Sequence, residues 1–138
     1  MSKTNATNPA PESARPAIPE EIVRAAMAEP ALKGRVFLCS KRREPLMFEG
    51  RVVGFVTPWE TPIGWRHGPI FVLHGFRGKK LVQQYYASHP ERLCVAFIPD
   101  GNTASRRMHT QAGFKDWRRH GKGTFMRREP IAGGSDGK

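Results

Sequence analysis

Between His74 and Val82 the chain reads HGFRGKKLV, two glycines and three cations separating an apolar run from a helical pattern. A strand that breaks into a glycine-containing turn at a helix start presents backbone N–H groups without intrahelical partners. It also presents the positive end of the helix dipole, and the two together suit a pyrophosphate. That seat would run from Phe76 to Val82, with Arg77, Lys79 and Lys80 adding charge. A second concentration of cations lies between Gly101 and Arg128, where Arg106, Arg107, Lys115, Arg118, Arg119, Lys122, Arg127 and Arg128 are opposed only by Asp116. Such a field favours polyanions: nucleic acid, an acidic protein, or the phosphates of a nucleotide-bearing cofactor. A basic surface with no dedicated partner accounts for the same composition. Trp117 and Phe125 interleave with these cations as stacking platforms would, although a strand pair with both rings in its core explains them equally well.

The elements that must position these residues follow from periodicity and punctuation. Pro19-Glu20-Glu21 opens a helix, with Pro near the first turn and two carboxylates facing the positive end of the dipole. Ile22, Val23, Ala26 and Met27 give it an apolar stripe, and Pro30 and Gly34 end it. Arg35–Ser40 reads as a strand. Pro45–Phe48 and Arg51–Thr57 read as a hairpin around Glu49-Gly50, and Pro58 stops it. Trp59–Gly68, with Pro62 and two tryptophans, reads as a loop. Pro69–His74 is apolar on both faces and is expected to be a central strand. Lys79–His89 follows as a helix with Leu81, Val82, Tyr85 and Tyr86 at helical spacing, closed by Pro90. Arg92–Ile98 is a further buried strand. Asn102 is the expected N-cap of a helix through Gln111, with Gly113 as its stop. Phe114–Arg119 and Thr124–Arg128 close the chain as a strand pair. The order implies an α/β fold, a mixed sheet with helices packed on it, in a single domain.

The 138 residues allow one domain with a core of useful size. The 38% apolar content is low because the ends are poor in apolar residues. Residues 1–19 and 132–138 are expected to be disordered tails, leaving 20–131 as the folded part. No window approaches the roughly 20 apolar residues that span a bilayer, and the N-terminus has no signal-peptide core. Cys39 and Cys94 sit in apolar runs and are expected to be buried thiols, with no second ligand at metal spacing. These features lead us to expect a cytoplasmic protein with no membrane partner and no metal.

Three stretches, in order, resemble the GNAT (GCN5-related N-acetyltransferase) superfamily. Pro45–Thr57 (PLMFEGRVVGFVT) is similar to its hairpin. Ile70–Lys80 (IFVLHGFRGKK) resembles its central strand entering the CoA loop. Leu93–Phe114 (LCVAFIPDGNTASRRMHTQAGF) resembles the next strand and helix. The resemblance implies a GNAT-like domain that takes acetyl-CoA as acyl donor and an amine as acceptor. Carried over position by position, it implies that Phe76, Arg77, Gly78, Lys79, Lys80 and Leu81 seat the pyrophosphate. The backbone of Val72, Leu73 and His74 would polarise the thioester carbonyl, and Asn102 would cap the next helix beside the cofactor. The tyrosine that often protonates the leaving thiolate falls on His109, which can donate a proton near neutral pH. Glu60, His67 and His74 are the candidates for general base. The sequence departs from the family at Lys80 and Val82, where glycines are usual and a side chain narrows the approach of phosphate to backbone. Lysine restores charge without the same geometry. Ahead of the hairpin only Glu20–Lys33 and Arg35–Ser40 stand where the family carries a strand and two helices, so the acceptor side would be reduced or supplied by a partner.

Two functions follow from the resemblance. One is an N-acetyltransferase. The other is a non-catalytic GNAT-like binding or assembly module, resembling short proteins of this kind encoded by short-tailed bacteriophages, some of them internal virion proteins. That second reading places the protein in a bacterial host's cytoplasm or in the virion. A third reading makes the basic C-terminal third a nucleic-acid contact.

Overall fold

A computed structural model describes residues 16–32 and 42–131. The expected strand Arg35–Ser40, Cys39, most of the N-terminal tail and the C-terminal tail lie outside the described residues. The chain divides into two compact units, one of residues up to 59 with 67–82, the other of residues 60–66 with those from 83 onward. The class is the mixed α/β expected.

The first unit begins with α1 (Glu20–Met27), whose first turn carries Glu20 and Glu21. The amides of Ile22 and Val23 donate to the Pro19 carbonyl. A short 3-10 turn, Pro30–Leu32, follows. Then β1 (Glu44–Phe48) and β2 (Arg51–Val56) pair antiparallel. The two residues between them, Glu49 and Gly50, both have positive φ (50° and 80°), the backbone of a type I′ hairpin turn. The register slips between Leu46 and Met47, so that β2 carries one extra residue, Val53, a β-bulge. The far side of β2 pairs with β5 (Phe71–Val72), completing a sheet of order β1-β2-β5. Gly54 is the close approach in this sheet: a Cβ there would run into the Phe71 carbonyl oxygen and come within 2.9 Å of Val72 Cα. Ile22, Ala26 and Leu32 pack with Phe55 and Phe71 to form the core.

Pro69–His74 was expected to be a full central strand, and the structure corrects this. Only Phe71 and Val72 pair in it, at the end of the three-stranded sheet among the described residues. Pro69 has no N–H to give a ladder, and after the Leu73 amide donates to Val53 O the backbone turns into a 3-10 helix at His74.

In the second unit, the expected loop 59–68 is instead a small hairpin, β3 (Trp59–Thr61) and β4 (Gly64–Arg66). The Thr61 hydroxyl closes its turn by donating to Gly64 O. The sheet runs β3-β4-β6-β8-β7, with β6 (Cys94–Pro99), β7 (Lys115–His120) and β8 (Gly123–Arg128). β4 lies parallel to β6, while β6–β8 and β8–β7 are antiparallel. α2 (Leu81–Ala87) is shorter than the helix expected, because His74–Lys79 is 3-10 and Lys80 breaks the run with φ 59°. α3 (Thr103–Gln111) starts on Asn102, whose Oδ1 accepts the Ser105 amide. It ends in a Schellman motif around Gly113 (φ 98°). There the Phe114 amide donates to His109 O and the Gly113 amide to Thr110 O. Both ends of this helix fall as expected.

Arg128 ties the unit together. It is 4% exposed, and its guanidinium donates to the carbonyls of Tyr86, His89 and Arg92 at 2.7, 2.7 and 3.0 Å. These carbonyls lie at and beyond the C-terminus of α2, where a cation also meets the negative end of the dipole; Tyr86 O and His89 O also accept the amides of His89 and Arg92.

Candidate active site

The residues proposed to hold an acyl donor form one continuous segment. Val72 ends the sheet pairing, and Leu73 leads into the 3-10 helix His74–Lys79. His74, Gly75, Arg77, Gly78, Lys79 and Lys80 are all exposed. A Cβ at Gly75 or Gly78 would meet nothing within 4 Å, so both positions face open space. Phe76 is half-buried against Phe48 at 5.6 Å, with the Arg51 guanidinium over its ring. This contact pins the middle of the turn to the β1–β2 hairpin.

The three cations are not equivalent. Arg77 is fastened: its Nε donates to Val72 O at 2.8 Å, its Nη2 to Glu29 at 3.2 Å, and it lies over the Phe71 ring. It braces the turn against the strand it follows. Lys79 lies over the Phe48 ring at 5.4 Å. Lys80 takes φ 59° and ψ 36° between the 3-10 helix and α2. That left-handed conformation costs a residue with a Cβ about 1 kcal/mol and costs glycine little. Val82, expected to obstruct the anion seat, is instead buried alongside Leu81, each 7% exposed. Its side chain belongs to the interior. Only Lys80 stands where a glycine would open the backbone.

For the thioester carbonyl, the expected donors were backbone amides of Val72, Leu73 and His74. The Leu73 amide is committed to Val53 O at 2.8 Å, which leaves Val72 and His74. Among the candidates for general base, Glu60 and His74 are exposed, whereas His67 is buried at 3% exposure and its carbonyl accepts the Thr57 amide. Asn102 acts through its side chain as the α3 cap.

His109 is a core residue rather than a solvent-facing acid. It is 4% exposed, with its ring edge-on to Phe114 at 4.9 Å. Nδ1 lies 2.8 Å from Ser105 O and therefore carries the proton, leaving Nε2 to accept from the Tyr86 hydroxyl at 3.4 Å. Burial lowers its pKa, offset in part by the Ser105 carbonyl. The unfolded chain therefore takes a proton first. Stability tied to His109 is complete above its ordinary value near 6.5 and is lost as pH falls from there toward the depressed folded value. We expect the melting temperature to drop as pH falls below that ordinary value, and His109→Gln to flatten that part of the profile. Equal slopes for the two proteins by differential scanning calorimetry would contradict this.

Two buried groups in the second unit had no direct sign in the residue pattern. Arg92, 2% exposed, stacks over Trp65 at 4.1 Å and donates to the Tyr85 hydroxyl. Tyr86 is wedged between His109 and Phe114, and burial pushes its hydroxyl pKa up. The helical spacing of Tyr85 and Tyr86 was the only available signal. Cys94 is buried, and burial pushes its thiol up to about 11. Among the described residues no group of three or more His, Cys, Asp or Glu could hold a metal ion, and no helix is long and apolar enough to cross a membrane.

No protein-family model matches this sequence, and no curated protein matches it. Solved structures match its fold. PH1933 from Pyrococcus horikoshii OT3 is 13% identical with a TM-score of 0.60, covering 83% of this chain and 94% of its own. The ribosomal-protein-S18-alanine N-acetyltransferase of Escherichia coli is 15% identical with a TM-score of 0.54, over 80% of this chain and 84% of its own. A protein described as an acetyltransferase is 16% identical with a TM-score of 0.53, over 65% and 70%. At these identities the likeness shows a shared fold.

Proposed function

We propose, from the GCN5-related N-acetyltransferase fold that this chain shares, that it binds acetyl-CoA and transfers the acetyl group to an amine. The observation that carries the proposal is the exposed turn His74–Lys80. It offers two open glycines and the cations Lys79 and Lys80, braced by Arg77 and Phe76, at the point where the sequence resembles the family's donor loop. These residues fit a diphosphate by charge and by open backbone. The Val72 and His74 amides are the proposed donors to the thioester oxygen. In the reaction the amine nitrogen bonds to the acetyl carbon, the C–S bond breaks, the amine gives up a proton and the thiol leaves with one. His74, exposed on the donor turn itself, is the proposed acceptor of the amine proton. His109, held by Ser105 and Tyr86, is assigned to packing.

Titration calorimetry with acetyl-CoA tests the reading. We expect saturable heat, with Lys80→Gly binding more tightly by roughly threefold and melting slightly higher as the left-handed strain is relieved. No saturable heat at about millimolar ligand, a common upper range for KM, would remove the acyl-donor role. The burial of His109 favours a second reading, a non-catalytic module of the same fold, the kind that resembles bacteriophage virion proteins. It predicts no acetyl transfer to any amine even where CoA binds.

A further inference from the structure

The cations of the C-terminal third are sorted by strand alternation onto two faces, and one face has the composition of a base-stacking platform. Along β8, Thr124, Met126 and Arg128 are buried, and Arg128 reaches α2, so α2 lies on that side. Phe125 and Arg127 must then face the other way. The pairing carries this across the sheet. Phe97 of β6 stands opposite Phe125, and Lys115 and Arg118 of β7 stand opposite Arg127 and Phe125. The β7 register slips between Asp116 and Arg118, which places Trp117 in a bulge, and its ring meets Phe125 at 6.3 Å. Arg118 lies over Trp117 at 4.2 Å and Arg127 at 4.6 Å, while Arg66 lies over Phe125. The rings are half-buried, and Arg118, at their outer edge, is exposed.

We infer that this face of β6-β8-β7 binds single-stranded nucleic acid, with unpaired bases stacking on the Trp117–Arg118 layer and phosphates meeting Lys115 and Arg118. The choice of occupant rests on charge. The chain carries 23 Lys and Arg against 12 Asp and Glu. The nearby carboxylates are turned elsewhere: Asp116 holds Arg106 and Asp100 holds Arg119 on the helix side. Glu129 engages Arg127 at the strand end. Among the described residues Lys115 and Arg118 make no ion pair. A second copy of this chain would bring the same cations against themselves along the β7 edge, which like charge opposes. A duplex hides its base faces, whereas an unpaired strand offers them to aromatic rings and guanidinium planes.

The test uses the full chain and fluorescence anisotropy with labelled oligouridylate and oligothymidylate of about 15 nucleotides, a duplex of equal length, heparin and polyglutamate, at about 50 mM salt. Both single strands should bind at least roughly tenfold more tightly than the duplex, the two differing from each other only if the 2′-hydroxyl is read. Trp117→Ala should weaken single-strand binding roughly tenfold while leaving the salt dependence unchanged, and Trp117→Phe should recover most of the loss. Arg118→Gln, at an exposed position, should lower the slope of log affinity against log salt by about 0.7, one phosphate contact. Unchanged melting of each variant keeps the comparison about binding, and Arg118→Gln serves if Trp117→Ala unfolds. Absence of binding overturns the inference. So does equal affinity for duplex, heparin and single strand with Trp117→Ala like the parent, or a preference for polyglutamate, which would mark an acidic protein as the partner.

Discussion

Arg128→Met should destabilise the protein by at least about 3 kcal/mol, because the substitution strips three carbonyl groups of a cationic donor at a site closed to water. Tyr86 O and His89 O keep one backbone donor each, so the loss is that of three hydrogen bonds from a charged group, about 1.5–3 kcal/mol apiece, part of it recovered by the apolar replacement. Arg128→Lys should lose nearly as much, since an ammonium cannot span three acceptors in the plane that the guanidinium fits. The neighbouring Arg127→Met should cost no more than about 1 kcal/mol, since its salt bridge to Glu129 is at the surface and its stack on Trp117 is partly exposed. Urea denaturation measures all three. Equal losses at 127 and 128 would show that the hook onto α2 contributes little.

Gly54→Ala is the second large effect. The added methyl meets backbone, the Phe71 carbonyl and Val72 Cα, and neither can rotate away as a side chain could. Either β2 and β5 separate or the bulged strand shifts, and overpacking of this sort costs about 1–3 kcal/mol or more. The consequence reaches function, because β5 is the element from which the turn His74–Lys80 departs. We expect Gly54→Ala to lower the melting temperature by several degrees, on the order of 5 °C or more. It should also abolish acetyl-CoA heat even under conditions where the variant remains folded. A variant that melts like the parent would contradict so close an approach of β2 and β5.

Where a residue's chemistry is local, the sequence was readable. Asn102 and Gly113 bound α3 because an Asx side chain caps an amide three residues on, and because glycine alone adopts positive φ without strain. Glu49-Gly50 announced a hairpin for the same backbone reason. Tertiary context decided the rest. Pro69–His74 looks like a buried strand by composition, yet its pairing partner, β2, accommodates only two of its residues before the backbone turns. Pro62 read as a breaker and hid the β3–β4 hairpin, whose turn is closed by a threonine hydroxyl. A lysine at position 80 gave no sign of a left-handed backbone, since that conformation follows from the junction of two helices and not from the residue. Val82 was read as an obstruction and His109 as an acid from their places in a motif; burial, invisible to a motif, puts both side chains in the interior.

The opposed orientations of Arg127 and Arg128 bear on how the protein would meet a charged body in solution. Formal charge counts the tandem pair twice, but Arg128 is sunk among carbonyls, and Arg106 and Arg119 are each clasped by a carboxylate. What the second unit projects outward is therefore less than the formal count and unevenly spread: among the described residues, Lys115 and Arg118 on the sheet, Arg107 on α3 and Lys122 in the β7–β8 turn are the exposed cations without a carboxylate. An uneven distribution exerts torque as well as attraction, so an approaching polyanion would turn the molecule before touching it.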